Sequence, residues 1–194
     1  MGKISTLSGF DGYQDSAASE KKIVRGAFED GDAWFNTGDL VRADWLRNLY
    51  FADRLGDTFR WKGENVSTFE VQEQIAAWPA VKEVNVYGVA VEGTEGRAGM
   101  AALVLADDAA FDAASFKTYV DGVLPKYARP VFVRVDEALQ TTSTLKLKKG
   151  DLQKEGIDPA KARSPLYVRH PKTDEYVRLD ATLYGDIVAH RLAL

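Results

Sequence analysis

The spacing of apolar residues changes character near Arg54. Before it, residues 1–30 are polar and irregular, and aromatic and apolar residues then crowd into 33–35 and 49–52 with turn residues between. That pattern predicts two antiparallel strands, roughly 32–42 and 47–54. No helix accompanies them to bury an apolar face, so this piece reads as the edge of a larger β structure. After Arg54 the rhythm becomes helical. Ser67-Thr68-Phe69-Glu70 is a capping box, in which the Ser67 hydroxyl accepts from the Glu70 amide. Val71, Ile75 and Trp78 follow on one helical face, and Pro79 stops the helix. VKEVNVYGVAV (81–91) alternates like a half-buried strand, and AGMAALVL (98–105) reads as a more deeply buried one. Ala113, Phe116, Val120 and Val123 mark a second helix, ended before Pro125, and VFVRV (131–135) is a third strand.

The expected fold class is therefore α+β. A small C-terminal domain with a mixed three-stranded sheet and flanking helices is preceded by a β-hairpin belonging to a larger domain. The expected division is 1–53 and 54–194, with Gly56 as a hinge, because glycine tolerates backbone angles closed to other residues. The stretch from about 160 onward, marked by Pro159, Pro165 and Pro171, reads as mostly irregular until a short helix near 181–192.

Composition narrows the chemistry by exclusion. With 194 residues and 45% hydrophobic content, the chain can bury a core without metal or disulfide support. It has no cysteine, which removes thiol catalysis, disulfides and thiolate metal sites. A formal net charge of -4 is the wrong sign for a nucleic-acid footprint. The apolar run from Ala98 to Ala106 is far too short to cross a bilayer, and the start lacks the basic-then-apolar pattern of a signal peptide. His170 and His190 fit no metal motif, so no metal site is expected, and neither a Walker loop nor a Rossmann fingerprint is present.

Three segments remain. FNTGDL (35–40) alone is a turn, DRLGDTFRWKGENVS (53–67) alone is a loop before a helix, and LQTTSTLKLKK (139–149) alone is a solvated surface loop. Their order changes the reading. With LPKYARP (124–130) between the second and third, they resemble the last motifs of the adenylate-forming enzymes: acyl-CoA synthetases, luciferases and peptide synthetase adenylation domains. FDGY (10–13), EKKIVR (20–25), GDAWFNTGD (31–39), DRLGDTFRWKGENVST (53–68) and DPAKARSPLYVRHPKTDEYVRLD (158–180) resemble the fatty acid transport protein and very-long-chain acyl-CoA synthetase branch.

The resemblance implies a fatty acid–CoA ligase. A fatty acid carboxylate attacks the α-phosphate of ATP, carried with Mg2+, and coenzyme A then displaces AMP. By the same resemblance Asp39 holds the ribose hydroxyls, which suits a carboxylate with two acceptor oxygens. Arg54 stands near the ribose and phosphates, where a permanently charged planar donor is useful. Lys146, which ends the TTSTLK run, is the catalytic lysine of adenylation, and Lys148 and Lys149 just after it are the nearby alternatives. Gly63 lies in the thioester-forming loop, flanked by Glu64, Asn65 and Val66, where the absence of a side chain lets the pantetheine arm pass.

Two departures from the wider superfamily are visible. Gly56 stands at the hinge, where aspartate or lysine is usual, and LQTTSTLK lacks the proline and glycine of the common Pro-Lys-Thr-x-x-Gly-Lys loop. The Ser/Thr/Gly-rich phosphate loop of these enzymes is not among the 194 residues. The implied partners are thus fatty acid, ATP, CoA and the protein's own N-terminal domain, with the chain inactive alone. A cytoplasmic setting, with peripheral membrane association open for the full-length protein, goes with that expectation. A bile-acid or other carboxylate–CoA ligase of the same branch, and a non-catalytic interaction module on this fold, are the alternatives.

Overall fold

The computed structural model describes residues 2–3, 16–54, 58–107, 109–139 and 149–194. Two compact units divide the chain, Met1–Leu55 and Gly56–Leu194.

The first unit opens with β1 (Gly2–Lys3) and α1 (Ser16–Glu20), followed by β2 (Ile23–Arg25) and β3 (Ala33–Phe35). These strands form a small antiparallel sheet in the order β1-β3-β2. Asp32 closes the turn between β2 and β3. Its carboxylate accepts from the amides of Ala27, Phe28 and Glu29 at 2.8, 3.0 and 3.0 Å and from Trp34 Nε1 at 2.6 Å. Burial opposes the charge, but the bonds from Trp34 and the three amides more than offset it and hold the carboxyl at about 2. A separate hairpin follows, β4 (Asp39–Ala43) and β5 (Leu49–Arg54).

The strand expected over 32–42 is thus two strands. Asn36 Oδ1 accepts from the Gly38 amide at 2.9 Å and Thr37 Oγ1 from the Asp39 amide at 3.1 Å, so side chains take the bonds that a ladder would need. At the hairpin tip Asp44 accepts from the Leu46 and Asn48 amides, both at 2.9 Å, and from the Tyr50 hydroxyl at 3.0 Å. The strands leave Leu40, Val41, Leu49 and Phe51 exposed, and Trp45 at the tip is 88% exposed.

The second unit begins with a hairpin, β6 (Phe59–Trp61) and β7 (Glu64–Val66). Helix α2 (Thr68–Ala76) is capped by Ser67, whose hydroxyl accepts from the Glu70 amide at 3.2 Å. Next come β8 (Val81–Val89), β9 (Ala98–Leu105), α3 (Ala113–Val123) and β10 (Phe132–Val135). The Asp112 carboxylate caps α3 by accepting from the Ala114 and Ser115 amides. Helix α4 (Lys149–Glu155), β11 (Leu166–Arg169), β12 (Tyr176–Arg178) and α5 (Ala181–Val188) complete the chain.

The sheet order is β12-β11-β10-β9-β8, parallel between β9 and β10 and antiparallel elsewhere. The main sheet of this α+β unit has five strands where the sequence suggested three. The missed pair, LYVR and YVR, is too short to show a period of two and is hemmed by Pro165 and Pro171. Backbone bonds from Val135 to Pro165 at 3.0 Å and from Arg169 to Val131 at 2.8 Å seat β11 on β10 and cover that edge.

Alternation across the sheet sends Val133 and Tyr167 to one face and Arg134 to the other. The first face carries α2 and α3. Trp78, Phe111, Phe116, Tyr167 and Tyr176 interlock there with neighbouring centroids 4.6–6.3 Å apart. The second face carries α4, whose Gln153 donates to the Gly88 carbonyl at 3.3 Å.

Phe59 and Trp61 pin the β6–β7 hairpin to this sheet. The Arg97 amide donates to the Arg60 carbonyl at 2.8 Å, and Gly96 sits so close that a Cβ there would lie 2.1 Å from that oxygen. Gly96 also has φ +85°. Gly96→Ala is therefore expected to destabilise the chain by about 2–4 kcal/mol, combining overpacking with left-handed strain. Gly156→Ala, with φ +65° and open space around it, carries the strain alone and should cost only about 1 kcal/mol. Equal losses in urea unfolding would mean that the Gly96 contact has relaxed.

Candidate active-site surfaces

Each unit holds one group of the residues singled out by sequence. In the first, Asp39 opens β4 and Arg54 closes β5, and the register sets them directly opposite each other. Residues facing each other in this way share a face of the ribbon with Cβ atoms about 5 Å apart. Asp39 is half-buried, and the side chains of Asn36 and Thr37 fix the turn that leads into it. The two positions thus face each other at the open end of the hairpin.

In the second unit, Gly63 sits at the tip of β6–β7. Trp61 pairs with Glu64, so Lys62 and Gly63 alone make the turn, with φ 50° and 88°. Two residues at positive φ are the geometry that joins tightly twisted strands, and glycine suits the second of them. The tip is rigid because its base is buried: Phe59 is 6%, Trp61 5% and Val66 1% exposed. Glu64 and Asn65 are exposed beside it.

A groove of about 480 Å3 runs from this tip past Lys62, Glu64, Lys126, Tyr127, Arg129 and Arg169. Two of its cations are already engaged. Arg129 pairs with Asp121 at 3.0 Å, and Arg169 with Asp121 at 2.7 Å and Asp174 at 2.7 Å. The bond from Arg169 holds the Asp174 carboxyl at about 2. Lys62 lies 5.7 Å from the centre of the Trp61 ring. Among the described residues neither Lys62 nor Lys126 has a carboxylate partner, so both ammonium groups face the groove's solvent with charge to spare. Among the described residues no cluster of three metal-ligating side chains exists, and no helix is long and apolar enough to cross a membrane.

The AMP-binding enzyme C-terminal domain family matches residues 70–146, a stretch that begins in the first turn of α2 and includes β8, β9, α3 and β10. The chain is 48% identical to the medium/long-chain-fatty-acid–CoA ligase FadD6 of Mycobacterium tuberculosis, over 91% of this chain and 30% of that protein. It is 46% identical to human long-chain fatty acid transport protein 3, over 98% of this chain and 28% of that protein. Among solved structures, o-succinylbenzoate CoA synthetase from Bacillus subtilis, in complex with its acyl-adenylate intermediate, superposes with a TM-score of 0.63 at 28% identity, covering 78% of this chain and 29% of the other.

The chain belongs to the adenylate-forming enzymes, in the fatty acid transport protein branch. It spans under a third of the length of the curated relatives it matches.

The structure sets Asp39 opposite Arg54 in the β4–β5 register, and Gly63 next to Glu64 and Asn65 at the β6–β7 tip. Gly56 and Lys146 lie outside the described residues. Sequence reasoning missed the groove. Its signal was present in part, because Lys62 adjoins Gly63 in WKGENVS and Lys126 stands in LPKYARP. Nothing along the chain says that these two segments meet; only the packing of β7 against the Lys126–Ala128 turn does.

Proposed function

We propose that this chain is the C-terminal part of a fatty acid–CoA ligase, which joins a fatty acid to CoA through an acyl-adenylate as ATP is cleaved to AMP and diphosphate. The observations that carry the reading are Asp39 set opposite Arg54 in the register of one unit's hairpin and, on the other unit, a left-handed hairpin tip beside Lys62 and Lys126, which have no carboxylate partner among the described residues. Asp39 accepts from the two ribose hydroxyls and Arg54 faces the phosphates. Lys146 brings an ammonium to the α-phosphate as the fatty acid carboxylate attacks it and the bond to diphosphate breaks. Mg2+ arrives on the phosphates of ATP, as is usual for a cation that keeps most of its own water.

In the second step the CoA thiol attacks the acyl carbon and AMP leaves. Gly63 leaves room for the pantetheine arm, and Lys62 and Lys126 complement the phosphates of CoA. Gly56 serves as the hinge between the two arrangements. The exposed apolar residues of β4 and β5 support a larger domain preceding them, which supplies the remaining ATP contacts and the acyl pocket.

Two assays test the proposal. The full-length protein should release diphosphate and form acyl-CoA from ATP, a long-chain fatty acid and CoA. The 194-residue chain alone should do neither, because Asp39 and Lys146 are a small share of the contacts that hold reactants in place. A full-length protein that leaves fatty acid unactivated, or an isolated chain that makes acyl-CoA, would overturn it.

A further inference from the structure

The turn that leads into Asp39 holds a second charged group in place. Residues 36–38 join β3 to β4, and Lys22, the residue before β2, is fastened to that turn at both of its ends. The Lys22 carbonyl accepts from the Asn36 amide at 2.7 Å, one step beyond the pairing of Ile23 with Phe35. The Lys22 ammonium lies against the bare backbone of Gly38, where a Cβ would sit 3.1 Å from Nζ. Gly38 directly precedes Asp39, so the fold delivers an ammonium to within one residue of that carboxylate.

Lys22 is half-buried, whereas Lys21 beside it is exposed. Glu20, the acidic residue nearest to it in sequence, is taken by Arg25 at 3.1 Å, and among the described residues no carboxylate pairs with Lys22. Ordering a long side chain costs rotamer freedom, and partial burial strips water from its charge. No ion pair among the described residues offsets either cost. A ligand that brings acceptor oxygens to this turn would.

A ribose diol is such a ligand. Each hydroxyl has one hydrogen to donate and lone pairs that accept. An ionised carboxylate is acceptor-only, so it takes the hydrogens and leaves those lone pairs unused. An ammonium has donors and no acceptor, and supplies what the carboxylate lacks. We propose that Lys22 is a second ribose-binding residue of the adenylation site, donating to a hydroxyl oxygen of the diol whose hydrogens Asp39 accepts. The inference rests on Asp39 being the ribose ligand. Because the ribose is carried unchanged from ATP through acyl-adenylate to AMP, Lys22 holds the nucleotide in both half-reactions, unlike Lys146 or Gly63.

In the full-length enzyme Lys22→Met keeps the apolar stem and removes the donor. KM for ATP in acyl-adenylate formation and Kd for AMP by calorimetric titration should each rise roughly tenfold or more, the scale of one hydrogen bond from a charged group, while kcat stays within about twofold. Lys21→Met should match wild type, and Lys22→Arg, which keeps a charged donor, should recover part of the affinity. With 2′-deoxy-ATP or 3′-deoxy-ATP, whichever lacks the bonded hydroxyl, Lys22→Met should change KM by about twofold at most, because the contact is already gone. A penalty of full size with both analogues would put the ammonium on a phosphate and overturn the ribose assignment. A loss of kcat that tracks the folded fraction, with KM and Kd unmoved, would make Lys22 structural and overturn it too. A wild-type enzyme that neither binds AMP nor forms acyl-adenylate would remove the functional reading and this inference together. A competent wild type matched by Lys22→Met would remove the Lys22 contact alone.

Discussion

Lys146→Ala in the full-length enzyme should slow acyl-adenylate formation by about 10²–10³-fold, the loss typical of removing one preorganised charge from a transition state. Thioester formation from supplied acyl-adenylate should be nearly intact. The asymmetry follows from where charge appears. As the fatty acid carboxylate approaches the α-phosphate, two anionic groups are forced together and negative charge builds on the phosphoryl oxygens. An ammonium held there is worth several kcal/mol because little water competes with it. In the second step a neutral acyl carbon is attacked and AMP departs, and that ammonium has no comparable charge to meet. Purified variant and wild type would be compared by diphosphate release and, separately, by acyl-CoA formation from acyl-adenylate. Equal loss in both assays would assign Lys146 to structure. Lys148→Ala and Lys149→Ala are the controls, and a larger effect from either would move the role along the TTSTLKLKK run.

Sequence and structure agree where long elements carry their own start and stop signals. Ser67 and Asp112 cap their helices, Pro79 and Pro125 follow the helix ends, and β9 lies where its unbroken apolar run put it. They part where stability comes from distant partners. Strands β11 and β12 are held by ladder bonds to β10 and by Tyr167 and Tyr176 in the aromatic cluster, none of which is a local property. The split at Asn36–Gly38 was hidden for the opposite reason: aromatic neighbours suggested a continuous strand, while two short side chains had claimed the backbone donors. The candidate site was legible as motifs, because charged groups in a fixed order are visible in the sequence itself. The groove beside Gly63 was not, since it exists only when the hairpin tip meets the turn at Lys126. The buried ion pair from Arg134 in β10 to Glu155 in α4, 2.9 Å long, was equally invisible, because VRVDE and LQKEG look like ordinary charged strand and helix ends until the fold brings them together.

Gly63→Leu should have the opposite signature to Lys146→Ala, with adenylation close to wild type and thioester formation reduced by about a hundredfold, the scale of losses when reactants cannot take up their bound geometry. A Cβ at Gly63 would meet nothing within 4 Å, so the substitution creates no clash inside the domain. Its internal cost is the left-handed backbone, φ +88°, which is about 1–2 kcal/mol for a branched L residue and too little to unfold a hairpin anchored by Phe59, Trp61 and Val66. What the leucine obstructs, under the proposed function, is the space above the tip, along which the pantetheine arm brings its thiol to the acyl carbon. Strain and obstruction can be told apart with Gly63→Asn, because asparagine adopts the left-handed conformation readily yet still carries a side chain. Obstruction predicts that both variants lose thioester formation, with leucine the worse. Strain alone predicts that asparagine is nearly neutral. A Gly63→Leu enzyme that keeps its rate of thioester formation, or loses adenylation equally, would remove the hairpin tip from the CoA path and leave the basic groove beside it without a role in that step.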